Sequence, residues 1–138
     1  MILGVDPGTR RIGLAIADEV TRFARPLEVV DASAVDPVAR IAQVVADKEV
    51  TKVVVGRPAG LSGRGGPAVT RQSELVARLR EHLEVEVDEF DERLTTVVAE
   101  RALRSGGARP AARRRILDAV AAQVMLQGFL DASGPPRE

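Results

Sequence analysis

The chain has 138 residues, 45% hydrophobic and 29% charged, with twenty basic and twenty acidic side chains and no cysteine. One domain of this length can bury a sufficient core, and the lack of cysteine excludes a disulfide framework, a thiolate metal site and a thiol nucleophile. No apolar run reaches the roughly 18 residues that cross a bilayer and no secretory leader is read, so a cytoplasmic location without membrane attachment is expected.

The opening apolar run at 2–6 reads as a strand that ends on Asp6. Residues 11–18 and about 25–30 read as second and third strands, and their short joints favour antiparallel pairing. Asp36 followed by Pro37 marks a helix start, and Val38, Ile41, Val44 and Val45 give that helix its apolar stripe. "KVVVG" at 52–56 suits a central strand covered on both faces. The glycine-rich "RPAGLSGRGGP" is a loop, followed by a helix from about Pro67 to His82 with Leu75, Val76, Leu79 and Leu83 on one side. "VEVDEF" is a further strand, and Thr95 or Thr96 can cap a helix to about Arg104. After the break at "SGGARP" a last helix runs from about Ala111 to Leu130. Residues 133–138 form a flexible tail, leaving 1–132 as the folded domain. Strands interleaved with helices in the second half imply an α/β fold with a mixed sheet. Ligands of such sheets gather beyond the carboxyl ends of the central strands.

Net charge is zero, but its distribution is uneven. Seven acids and no lysine or arginine lie between Glu81 and Glu92, whereas Arg93 to Arg115 holds seven arginines against the single acid Glu100. This sign boundary suits a carboxylate site bordered by a polyanion-binding surface. Phe23, Phe90 and Phe129 are the only aromatic residues, so base-stacking platforms are not expected. Nucleic-acid binding would act through the backbone and shape.

Three acids stand where local sequence does not explain them: Asp6, one of Asp91 and Glu92, and Asp118 within "ILDAVAAQVMLQGFL". That last helix is apolar almost all round, the pattern of a buried helix, where a carboxylate needs a cation or hydrogen-bond donors. Each acid has a plain structural explanation. Asp6 could cap a turn, Asp91 and Glu92 could be surface acids, and Asp118 could pair with Arg114 or Arg115 one turn earlier. Together they fit one architecture, in which strand ends and a buried helix meet at one edge of the sheet. Clustered carboxylates repel unless protonated or metal-bound, and hard oxygen ligands select magnesium or manganese. Alternation leaves the pair open, since Asp91 continues the parity of Val85 and Val87 and Glu92 that of Phe90.

"DPGTRRIG" with Asp6, Gly8, Arg11 and Gly13, "DERLTT" from Asp91 to Thr96, and "LDAVAAQVMLQ" with Asp118 resemble, in the same order, the YqgF family, also called RuvX. The similarity runs from about Met1 to Leu130. It implies a ribonuclease H-like fold with a five-stranded mixed sheet flanked by helices, and a nuclease that uses Mg²⁺ or Mn²⁺, with two ions expected. By position it implies an acidic triad of Asp6, Glu92 and Asp118, with Asp91 nearby. The family's usual glycine–leucine–proline stands here as Gly56-Arg57-Pro58, a departure in which Arg57 either adds a phosphate contact or points to solvent. Two roles are attributed to the family, processing of the 5′ end of 16S ribosomal RNA and cleavage of Holliday junctions. The expected partner is therefore structured RNA or branched DNA, bound by a monomer or homodimer.

In the mechanism expected, Asp6 bridges two ions and Glu92 and Asp118 hold one each, activating water for in-line attack on a phosphodiester. Arg10, Arg11 and Arg93 steady the substrate backbone, with Arg113, Arg114 and Arg115 as a broader electrostatic footprint. The loops 57–66 and 105–110 are candidates for moving onto substrate; the alternative is that their glycines only make turns, which is the stronger reading for 105–110. His82 closes an amphipathic helix and is read as structural. An actin-like ATPase also opens on an Asp-x-Gly strand but needs a second lobe that this length does not hold. A nonenzymatic nucleic-acid-binding ribosome-biogenesis factor is the other alternative, separable from a nuclease by its tolerance of Asp6→Asn.

Overall fold

The computed structural model describes residues 1–8, 10–57, 67–91 and 111–133. Strands β1 (Ile2–Pro7), β2 (Arg11–Ala17) and β3 (Ala24–Asp31) precede helix α1 (Pro37–Asp47). Strand β4 (Lys52–Arg57), helix α2 (Pro67–His82), strand β5 (Glu86–Asp91) and helix α3 (Ala111–Ala132) complete the order. The five strands form one sheet in the order β3-β2-β1-β4-β5. β1 pairs antiparallel with β2, and β2 with β3; β1 with β4 and β4 with β5 are parallel. The mixed sheet and the three described helices agree with the expectations above, with element ends within one or two residues of those expected. The expected helix after Thr95, the segments 58–66 and 105–110, and the tail after Ser133 lie outside the described residues.

Alternation along each strand decides what each face carries. Leu3, Val5, Ile12, Leu14, Ile16, Val53, Val55 and Val87 pack with α1 through Val38, Ile41 and Val44, and with α2 through Leu75, Val76 and Leu79. The opposite parity, Ile2, Ala15, Ala17 and Val54, packs with α3 through Ala122, Met125, Leu126 and Leu130. Asp36 caps α1 by accepting from the Val38 amide at 3.2 Å, with Pro37 at the first helical position. Arg78 of α2 reaches that same cap at 3.2 Å, which fastens the two helices on one face together.

Two features depart from the sequence pattern. A β-bulge between Leu14 and Ala15 leaves Leu27 without a partner in the ladder, so that Arg11 and Asp31 come directly opposite each other. Helix α3, expected to be buried on all sides, is buried on one. Ala121, Ala122, Met125 and Leu126 are enclosed, Leu117, Val120 and Val124 are half-buried, and Ile116 is 62% exposed. Among the described elements α3 lies on the sheet alone, so only one of its sides meets a strand. No described helix is long and apolar enough to cross a membrane.

Candidate carboxylate site

The close approach of α3 to the sheet begins with missing side chains. Gly4 and Gly13 share the α3 face of β1 and β2. A Cβ on Gly4 would stand 2.9 Å from Leu126 Cβ, and one on Gly13 would run into the Asp118 carbonyl oxygen. Any larger residue at position 13 would push the start of the packed helix off β2. Polar ties fix the helix further along. Gln127 accepts from the Ala24 amide at 2.9 Å and donates to the Arg22 carbonyl at 3.0 Å, and Gln123 donates to the Ala24 carbonyl at 3.1 Å. Arg22, held at a φ of 58°, donates to the Leu130 carbonyl at 2.9 Å.

This seating carries Asp118 to the sheet end where Asp6 lies. Asp6 pairs across the ladder with Gly13, and Gly13 is the residue against which Asp118 packs. The two acids thus flank one glycine on one face. Asp6 is 1% exposed, at the tip of a strand otherwise made of apolar residues and glycine. Gly8 donates to the Arg11 carbonyl at 3.0 Å, closing the turn that follows.

Asp118 pairs with Arg11, from the start of β2; of the two arginines one turn earlier on its own helix, the side chain of Arg114 lies outside the described residues. Arg11 Nε donates to Asp118 Oδ2 at 2.7 Å, with the side chains 26% and 16% exposed. The pair spans 107 positions of chain and is set by strand parity, because Arg11 shares the face of Gly13 and Ala15. The arginine expected on substrate phosphates is thus found holding a carboxylate.

Asp31, opposite Arg11, gathers further cations. The Ser33 hydroxyl and amide hold its carboxyl below the usual carboxylate range, with the charges of Arg10 and Arg115 adding to the effect. Arg10 and Arg115, both exposed, thus lie near Asp31, while Arg11 holds Asp118. Arg57 is exposed at the end of β4, where it pairs with Asp91 in the ladder.

For β5 the packing shows which face each parity takes. Phe90 meets Phe129 of α3 edge-on, with ring centroids 6.0 Å apart. Asp88 shares that parity and pairs with Lys52 at 3.0 Å, whose ammonium lies over the Phe129 ring. Asp91 has the other parity, that of Val87 and of Glu89, which accepts from Gln72 of α2 at 2.8 Å. Glu92, Arg93 and the side chains of Arg113 and Arg114 lie outside the described residues. Among those described, no three acids, histidines or cysteines come together as a group able to hold a metal ion.

Sequence reasoning missed two polar features, one buried and one partly buried. Gln72 is 1% exposed within α2, where only its polarity among apolar positions could have marked it. The Arg11–Asp118 pair had a signal in the alternation of β2, usable once the face covered by α3 was known.

The family model described as "RuvX: Holliday junction resolvase" matches residues 1–132. A protein of Chloroflexus aggregans named "Putative pre-16S rRNA nuclease" is 43% identical over 136 residues, covering 98% of this chain and 96% of that protein. One of the same name from Anaeromyxobacter dehalogenans is 45% identical over 134 residues, covering 96% and 98%. Among solved structures, Thermus thermophilus RuvC in complex with a Holliday junction substrate superposes with a TM-score of 0.57 at 20% identity, covering 96% of this chain and 94% of that one. The yeast mitochondrial Holliday junction resolvase Ydc2 gives 0.55 at 10% identity, covering 94% and 77%. These structural neighbours share the ribonuclease H-like fold.

Proposed function

The chain belongs to the RuvX family, and from that premise we propose that it is a divalent-metal-dependent nuclease that processes the 5′ end of precursor 16S ribosomal RNA in the cytoplasm. The observation that carries this reading is the placement of Asp6 and Asp118 on either side of Gly13, at the sheet end where Arg11 holds Asp118 and Arg10 and Arg115 lie near Asp31. A buried carboxylate and a second one already matched to a cation form an oxygen donor set suited to a hard divalent ion. Asp6, Asp118 and Glu92 are the residues we assign to hold Mg²⁺ or Mn²⁺. Glu92 is preferred to Asp91 because the parity that faces α3 on β5 is that of Asp88 and Phe90. When bound, such ions lower the pKa of a water and stabilise the departing oxygen of a phosphodiester.

The chain's own residues supply position and charge. Asp6, locked in the strand ladder, fixes one carboxylate against displacement, and Asp118 is aimed by the glycine contact beneath α3. Arg10, Arg57, Arg93, Arg113, Arg114 and Arg115 are assigned to the phosphate backbone, which fits a substrate recognised by shape. RNA is preferred to branched DNA because the relatives alike over their whole length carry the ribosomal RNA name. Junction cleavage remains the second reading, supported by the description of the family model.

The test offers the purified protein two labelled substrates with Mn²⁺ or Mg²⁺: an RNA carrying the 16S precursor leader and a four-way DNA junction. Trimming of the RNA, lost in Asp6→Asn, is the expected result. Paired symmetric cuts in the junction alone would replace the substrate assignment. Binding to the RNA without cleavage by either protein would favour a nonenzymatic factor.

A further inference from the structure

Two carboxylates brought to one sheet face repel each other unless positive charge lies between or beside them. Here that charge is part of the fold. Arg11 opens β2 on the α3 face and gives its Nε to Asp118 Oδ2 at 2.7 Å, in a site where both side chains are largely enclosed. It makes no other hydrogen bond through its guanidinium with the described residues. Its neighbour Arg10 has the opposite parity and is exposed. The carboxylate it holds is one of those assigned above to a divalent ion, and a single carboxylate oxygen cannot serve both cations at full strength.

We propose that Arg11 is a built-in counter-cation of the site: it holds and aims Asp118 before a divalent ion arrives, and it competes with that ion for the carboxylate. This inference rests on the assignment of Asp6 and Asp118 to a divalent ion. Arg11 is then a positioning residue, not simply a phosphate contact. Linkage makes the competition reciprocal, so whatever Arg11 gains from Asp118 in the empty site is subtracted from the affinity of the ion.

The test measures Mn²⁺ binding by calorimetry, without nucleic acid, for the wild type, Arg11→Gln, Arg11→Lys and Asp118→Asn. Removing the charge in Arg11→Gln is expected to tighten Mn²⁺ binding by about 5- to 100-fold. Arg11→Lys, which keeps it, should stay near the wild type. Asp118→Asn should weaken binding and cancel the gain when combined with Arg11→Gln, as expected for coupled neighbours. Unchanged or weaker binding by Arg11→Gln would overturn the competition while leaving the metal assignment intact. Failure of the wild type to bind Mn²⁺ at all would instead bring down the nuclease reading on which the inference rests. The wild type also gives a reading that needs no variant: the Arg11 Nε–H resonance should shift with Mg²⁺ at the midpoint of ion binding. A resonance indifferent to saturating Mg²⁺ would refute displacement even if Arg11→Gln fails to fold.

Discussion

The two faces of the sheet are built on different terms. The face covered by α1 and α2 is a conventional core of leucine, isoleucine and valine, whose aliphatic bulk sets the spacing between layers. Beneath α3, β1 and β2 carry Gly4, Gly13, Ala15 and Ala17, and the helix answers with Ala121 and Ala122. Small residues bring the backbones together, and this face alone carries Asp6, Arg11 and Asp118. One face supplies stability through buried area; the other gives up side-chain volume for closeness, which is what a site made of short carboxylates requires.

That contrast can be broken at its extremes. Asp6→Asn should lower cleavage about 100- to 1000-fold, as loss of several kcal/mol of charge stabilisation implies, without lowering the melting temperature. A kinetic assay beside a thermal melt measures both. Leu79→Ala, fully buried on the other face, should cost about 2–5 kcal/mol in urea unfolding and leave the rate per folded molecule unchanged.

The small-residue seam sharpens the same contrast. Gly13→Ala forces backbone apart at Asp118 and should cost about 1–3 kcal/mol, with a loss of activity in the folded fraction. Gly4→Ala meets Leu126, away from the carboxylates, and should lower stability with less effect on rate. Unfolding curves and single-turnover rates of the two variants separate these outcomes.

The smallest effect belongs to the aliphatic face. Glu28 takes two hydrogen bonds from Arg40, at 2.8 and 2.6 Å, which hold its carboxyl below the usual range. A carboxylate whose folded pKa is depressed stabilises fully above its unfolded pKa, and that contribution disappears as pH falls through the folded value. Both side chains are about a third exposed, so solvent screening limits the contribution to at most about 1 kcal/mol. Arg40→Ala should therefore narrow the stability difference between neutral pH and the acid side of the carboxylate range. Urea melts across that interval measure it, and activity at neutral pH should not change.

Local patterns were enough to read the strands, the Asp36 cap, the stripes of α1 and α2 and the solitary acids, because alternation, helical spacing and capping are properties of neighbours in sequence. What they could not supply was contact between distant segments. Asp118 was offered Arg114 and Arg115, one turn away; the structure adds Arg11, 107 positions distant, which no local pattern could have named. The bulge at Leu14 and Ala15 leaves no mark in composition, yet it decides that Asp31 stands opposite Arg11. Alternation in β5 fixed two faces but not which of them α3 covers, and Phe90 against Phe129 decides that. The exposed side of α3 escaped notice because an apolar helix reads the same whether one neighbour or two enclose it.

The position of α3 after every strand also gives the site a timetable. Asp6 and Arg11 leave the ribosome with the first hairpin, and a nascent chain can join its sheet strand by strand as domains fold from the N-terminus. Asp118 emerges only with α3. Until translation reaches it, the growing polypeptide carries Asp6 and Arg11 without Asp118, so the two carboxylates we assign to a divalent ion come together only after all five described strands have been made.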